Sequence, residues 1–192
     1  MKIYLIRHGQ SVTNRDKLHA GWMQVPLSDE GVLQAKQVGA FLKSLKFDKI
    51  YSSDLLRAKQ TLEYALGVCE YEESAAIREL NVGKLEGKSA KECVEIYGDF
   101  YVQTKARKDY TPFGGENEEN IIERARKFYS TLSEKEYESV AIFTHEGFIR
   151  ATLECALGCY VKPGSVNFKN CIVSLFELNQ NELKLIAWNM DN

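Results

Sequence analysis

The sequence predicts an α/β protein: a three-layer α/β/α sandwich with a mostly parallel central sheet and an antiparallel C-terminal hairpin. Three observations carry this reading. Short apolar runs rich in β-formers, at residues 3–6, 47–51 and 140–144, alternate with longer stretches of helical periodicity, the pattern of parallel strands joined by crossover helices. Two further β runs, 171–178 and 183–188, are separated only by Asn179-Gln180-Asn181-Glu182, too short a link for a crossover. The 192 residues are enough for one well-buried core and short for two, so residues 1–192 are expected to form a single domain.

Taken in order, residues 3–6 read as a buried strand that stops abruptly at Arg7-His8-Gly9. Residues 10–26 lack periodicity and read as a loop carrying Ser11, Thr13, Asn14 and Arg15, with His19 as a solvated loop histidine. Ser28, followed by Asp29 and Glu30, is a helix start, because its hydroxyl can accept an unpaired first-turn amide and the carboxylates complement the dipole. Ala35, Val38, Gly39, Leu42 and Leu45 supply the buried stripe of that helix. A strand at 47–51 ends in Ser52-Ser53-Asp54, and 55–66 is helical with Arg57 in its first turn. Residues 70–77 suggest a third strand, and 89–107 an irregular, charged and aromatic helical stretch. After a loop at 110–115, Asn117 can cap a helix whose inward face is Ile121, Ile122, Ala125, Phe128, Tyr129 and Leu132. A helix at 147–157 follows the 140–144 strand directly, and within it Cys155, with Cys159 one turn on, reads as small apolar packing.

Bulk properties exclude several functions. A net charge of −2 offers no general attraction to nucleic acid or a membrane surface, so any anion site must be local. Five cysteines, an odd number without a CxxC pair, argue for reduced thiols over a disulfide framework or zinc ribbon. The first apolar run is broken by Arg7 too early for a signal peptide or membrane span, and a cytoplasmic location is expected.

The chemistry lies in an echo. The chain has three histidines, and two of them, His8 and His145, stand at corresponding ends of two predicted core strands. The carboxyl ends of strands are where open α/β sheets hold ligands. Were those strands parallel neighbours, the two imidazoles would share one pocket. Such a pair suggests a metal or a transferring phosphoryl group. A zinc site would use His8, His145 and a carboxylate such as Glu79, but Arg7 and Arg57 beside it disfavour a cation and suit a phosphate. No HExxH or Cys/His spacing points to a metal, and no GxxxxGK[ST] to a P-loop.

Arg7-His8-Gly9, then Asn14, Gly21-Trp22 and Leu27-Ser28-x-x-Gly31-x-x-Gln34-Ala35, resembles the histidine phosphatase (phosphoglycerate mutase-like) superfamily. So do Ser52-Ser53-Asp54-Leu55-x-Arg57-Ala58-x-x-Thr61, Glu79-x-x-x-Gly83-x-x-Glu86-Gly87 and Thr144-His145-x-Gly147-x-x-Arg150, in order and across most of the chain. The resemblance implies roles. His8 would be the nucleophile that forms a phosphohistidine. Arg7, Arg57 and His145 would hold the phosphoryl oxygens, with Asn14 as a further donor. Glu79 would protonate the leaving oxygen and later activate water. Gly21, Thr144 and Glu146 join Asn14 as substrate-contacting positions. No metal or other cofactor is implied, because the guanidinium groups meet the charge that Mg²⁺ meets elsewhere.

The layout is similar to α-ribazole and broad-specificity phosphatases, and implies hydrolysis of a small phosphorylated metabolite. Mutases of this type generally carry longer insertions than the stretch between Gly87 and Glu116, which makes mutase chemistry the second reading and a non-catalytic phospho-ligand binder the third. Residues 88–116 are expected to cover the substrate. Tyr97, Phe100, Tyr101, Tyr110 and Phe113 could wall the pocket, and Lys105, Arg107 and Lys108 could meet a second anionic group, with core packing and a solvated basic face as the alternative for most of them. The sequence departs from the family at Gln10, Thr13, Gln24 and Glu146. A carboxylate aimed into a phosphate pocket would repel its ligand, so Glu146 is expected to face away or to meet a positive substrate group.

Overall fold

Strand β1 (Lys2–Arg7) is apolar on both sides, with Ile3 to Ile6 all buried, and a strand of that kind can lie only in the middle of a covered sheet. The computed structural model describes residues 1–162 and 164–190. Among them, six strands form one sheet in the order β3-β2-β4-β1-β5-β6. β1 pairs in parallel with β4 (Ser139–Thr144), β4 with β2 (Lys49–Ser52), and β2 with the two-residue β3 (Glu72–Glu73). On the other side β1 pairs antiparallel with β5 (Val173–Asn179), and β5 with β6 (Glu182–Trp188), through the tight link Gln180-Asn181.

Side chains alternate across each strand, so each buried strand feeds two cores. Ile3 and Leu5 of β1 join Val140 and Ile142 of β4 and Phe176 of β5 beneath α6 (Glu118–Ser133) and α7 (Glu146–Leu157). Tyr4 and Ile6 join Ala141, Phe143 and Val173 beneath α2 (Asp29–Leu42) and α3 (Leu56–Leu66). A third cluster (Val82, Leu85, Cys93, Tyr101, Tyr110, Phe113) lies under α4 (Ala90–Tyr97) and α5 (Asp99–Arg107). No helix among the described residues is long and apolar enough to cross a membrane.

The predicted helix starts are present. Ser28 accepts the Gly31 amide at 3.2 Å, and Asn117 exchanges side-chain and backbone hydrogen bonds with Asn120. The irregular 89–107 stretch is two helices broken at Gly98, whose φ of 56° suits glycine.

Other expectations are corrected. The 10–26 segment contains a one-turn helix, α1 (Val12–Arg15), held by a capping box between Ser11 and Asn14. The third strand keeps only two residues of 70–77 before a 3₁₀ turn at Ala75–Ile77, because Ser74 accepts the Ala76 amide and turns the chain. Leu45 lies past the end of α2 and is only partly buried. Cys155 is half-buried and Cys159 exposed, since α7 ends at Leu157.

Candidate active site

Register is what brings the two histidines together. Arg7 sits opposite Thr144 in the β1–β4 ladder, and the His8 amide donates to the Thr144 carbonyl at 2.9 Å, so His8 and His145 leave the sheet at the same level. Their ring centroids are 5.1 Å apart, tilted by 57°. β2 ends at that edge too, Ser52 lying opposite Phe143, and α3 starts soon after and carries Arg57 back toward His8. Gly9 is required here. A side chain on it would run into the Gly31 carbonyl, and one on Gly31 into that of Gln10, so the N-terminus of α2 presses directly on the loop after His8.

The His8 ring has a defined tautomer. Nδ1 lies 2.7 Å from the Gly9 carbonyl, which can only accept, so Nδ1 carries the hydrogen and Nε2 keeps its lone pair. Burial and the charges of Arg57 and Arg7 hold the His8 pKa well below the usual histidine value, and the ring stays neutral. Arg57 is almost fully buried. Its Nε donates to His8 Nε2 at 3.3 Å, and its two terminal nitrogens donate to the Gly21 and Met23 carbonyls at 2.9 and 3.1 Å. Burial lowers its pKa to about 10, so the guanidinium is still charged at neutral pH. His145 is fully buried. Both of its ring nitrogens lack a hydrogen-bonding partner among the described residues, and burial, Arg57 and His8 push its pKa well down.

Arg7 donates to the Phe168 carbonyl and pairs with Glu146 at 3.1 Å, while its buried Nε meets no acceptor among the described residues. Glu79 reaches in from the loop after Arg78. Its Oε1 accepts the Leu80 and Gly147 amides at 2.8 and 2.9 Å, which leaves Oε2 to hold a proton. Burial, opposed by the Leu80 amide and Arg57 and assisted by Glu146, raises its pKa. The cavity at this edge measures about 400 Å³, and its lining includes Arg7, His8, Asn14, Gly21, Arg57, Glu79 and Glu146, whereas His145 lies behind His8, off the lining. Asn14 spends Oδ1 on the Ser11 amide, so the donors it can offer are those on Nδ2. Among the described residues no group of three or more His, Cys, Asp or Glu side chains could hold a metal ion.

Thr144 is a correction to the expected set. It is fully buried, off the cavity lining, and its hydroxyl donates to the Ile77 carbonyl at 2.6 Å, pegging the loop before Glu79 to the end of β4. Glu146 does line the cavity, and it is bound by Arg7 and Arg150 instead of turning away. His19 is no solvated residue either. It is partly buried on the cavity wall, with Nε2 2.8 Å from the Tyr101 hydroxyl, and burial together with Lys105 lowers its pKa. Of the five proposed wall aromatics only Tyr110 lines the cavity. Tyr97 and Phe100 each pack against the Phe113 ring, and Tyr101 is core. Lys105 and Lys108 line the cavity and Arg107 does not.

Sequence reasoning missed the braces behind Glu79. Arg124 of α6 donates to the carbonyls of Ala76, Arg78 and Glu79 and pairs with Glu116, and Trp22 Nε1 donates to the Glu79 carbonyl at 2.7 Å. The signal was present: Arg124 lies directly before buried Ala125, at the margin of the apolar stripe.

Comparison with known proteins bears on the fold and the family. The α-ribazole phosphatase of Shigella flexneri superposes with a TM-score of 0.88 at 24% identity, covering 100% of this chain and 97% of the other. A mycobacterial glucosyl-3-phosphoglycerate phosphatase superposes at 0.86 with 23% identity, covering 98% of each chain. At such identities the likeness speaks for the fold. In sequence, a 2,3-bisphosphoglycerate-dependent phosphoglycerate mutase of Xanthobacter autotrophicus is 36% identical over 135 residues, which is 66% of this chain and 65% of that enzyme. The match thus spans just under two thirds of that relative's length. The family model of the histidine phosphatase superfamily (branch 1) matches residues 3–191, and the chain belongs to that superfamily.

Proposed function

We propose that the protein hydrolyses phosphomonoesters of small metabolites through a phosphohistidine. The observation that carries this reading is a neutral His8 whose lone-pair nitrogen meets a buried guanidinium, beside a second imidazole and a carboxyl group of raised pKa, all gathered from distant segments. In the first step His8 Nε2 attacks phosphorus and the P–O bond to the alcohol breaks. Glu79 gives its proton to the departing oxygen. In the second, water attacks phosphorus, Glu79 takes the proton of that water, and the P–N bond breaks to release phosphate. Arg7, Arg57 and His145, with Asn14, meet the charge on the equatorial oxygens.

Residues 1–192 act in this reading as one domain in which 88–116 covers the substrate. Lys105, Lys108 and Tyr110 on the cavity wall support that role. A cytoplasmic location belongs to the same reading and rests on the odd cysteine count.

Phosphoglycerate mutase chemistry is the second reading, favoured by the name of the 36%-identical relative. Both readings use His8, and they differ in whether water or a second substrate takes the phosphoryl group. A screen of phosphomonoesters for phosphate release, with phosphoglycerate isomerisation assayed in parallel, separates them. Hydrolysis that vanishes in His8→Ala is the expected result. Isomerisation far faster than release, or full hydrolysis by His8→Ala, would overturn the proposal.

A further inference from the structure

Glu146 is the first residue of α7 and follows His145 directly. Its two carboxylate oxygens are divided between two arginines, Oε2 to Arg7 at 3.1 Å and Oε1 to Arg150 at 3.0 Å. Both guanidiniums are held in place by other contacts. Arg7 donates to the Phe168 carbonyl, while Arg150 donates to the Val161 carbonyl at 3.3 Å and stacks 4.3 Å from the centre of the Phe168 ring. The arrangement is a built carboxylate clamp on the cavity lining, one half of it Arg7, which the proposed mechanism also sets against the phosphoryl group, and the chain fills it with its own carboxylate. Elsewhere on the lining, Lys108 pairs with Glu118 and lies over Tyr160, and Lys105 lies over Tyr101.

We infer that Glu146 sets the substrate class by occupying the slot in which a substrate carboxylate would be clamped, so that the site takes phosphomonoesters of neutral alcohols and turns away those bearing a carboxylate. This rests on the phosphomonoester reading above. A tethered carboxylate competes for the two arginines at an effective concentration far above that of a free metabolite. The two arginines already neutralise Glu146, so a cationic substrate group finds little to attract it. A substrate hydroxyl finds an acceptor.

Glycerol 3-phosphate and 3-phosphoglycerate test this directly, because they differ only in a CH₂OH against a carboxylate. Their Kd values are measured by calorimetry in the His8→Ala background, which forms no phosphohistidine, with and without Glu146→Ala. Removing Glu146 is expected to shift the ratio of the two Kd values about tenfold or more toward the carboxylate ester. The added Arg150→Ala change is expected to abolish that shift. If Glu146 served only to brace Arg7, both Kd values would move together and the ratio would hold. That result, or failure of both esters to bind, overturns the inference. Phosphate release by the unaltered protein is scored separately, so an inactive protein whose Kd ratio still shifts would count against hydrolysis and leave the clamp standing.

Discussion

At the scale of single residues, the site's protonation states follow from burial. His8 is buried among cations, which disfavours its charged form, and Glu79 is buried too, which favours its neutral form. The signs combine usefully. In the proposed mechanism His8 attacks unprotonated and Glu79 gives up a proton, so kcat/KM is expected to fall as pH rises through the raised Glu79 pKa. Glu79→Gln should lower turnover of an alkyl phosphate by about 10²–10³-fold and much less for p-nitrophenyl phosphate, whose leaving group needs no proton. An alkaline limb that persists unchanged in Glu79→Gln would belong to the substrate's own phosphate and would sink the assignment. Histidine and arginine identities were visible in the sequence at this scale. Their partners were not: nothing in the order of residues says that Glu146 lies between Arg7 and Arg150, because that depends on where Phe168 places both guanidiniums.

At the scale of elements, short pieces hold the loop after His8 in place. Ser28 accepts the Gly31 amide and its hydroxyl donates to the side-chain and backbone oxygens of Gln10, two residues beyond His8. Helix α3 begins at Leu55 without a side-chain cap of its own, and Gln24 supplies one from another loop by accepting the Leu56 amide at 2.8 Å. Thr61 ties Gly9 to the same helix by accepting the Gly9 amide and donating to the Arg57 carbonyl. Ser28→Ala is expected to cost about 1 kcal/mol in denaturant unfolding, and also to lower kcat, since the hydroxyl's hold on the Gln10 side chain goes with the cap, leaving only the backbone bond from the Ser28 amide. Loss of stability with kcat intact would show that the loop is held by other contacts. The long amphipathic helices and the core strands were legible because a dozen residues of consistent period outweigh local noise. Helix α1 and strand β3 were misread for the opposite reason, since four and two residues carry no period at all.

At the scale of the whole molecule, the sheet order places β1 between β4 and β5, so the first strand is paired on both sides by strands more than 130 residues later in the chain. An anion held by Arg7, His8, Arg57 and His145 would therefore tie together segments that part on unfolding. Orthovanadate at about one hundred times its Kd is expected to raise Tm by roughly 5–10 °C, and Arg57→Ala to abolish that rise measured from its own baseline. An equal rise in the variant would place the ion elsewhere. The sequence by itself determined the α/β class, the strand ends at Arg7-His8-Gly9 and His145-Glu146-Gly147, and the pairing of two imidazoles with two guanidiniums, because periodicity and residue chemistry are local properties that survive in one dimension. Tertiary structure alone decided the braces on Glu79, the withdrawal of Thr144 from the cavity and the contact of Arg7 with Glu146. Each of these depends on which carbonyl, ring or carboxylate from a remote segment comes within hydrogen-bonding reach, and that distance is set only once the two cores close on the sheet.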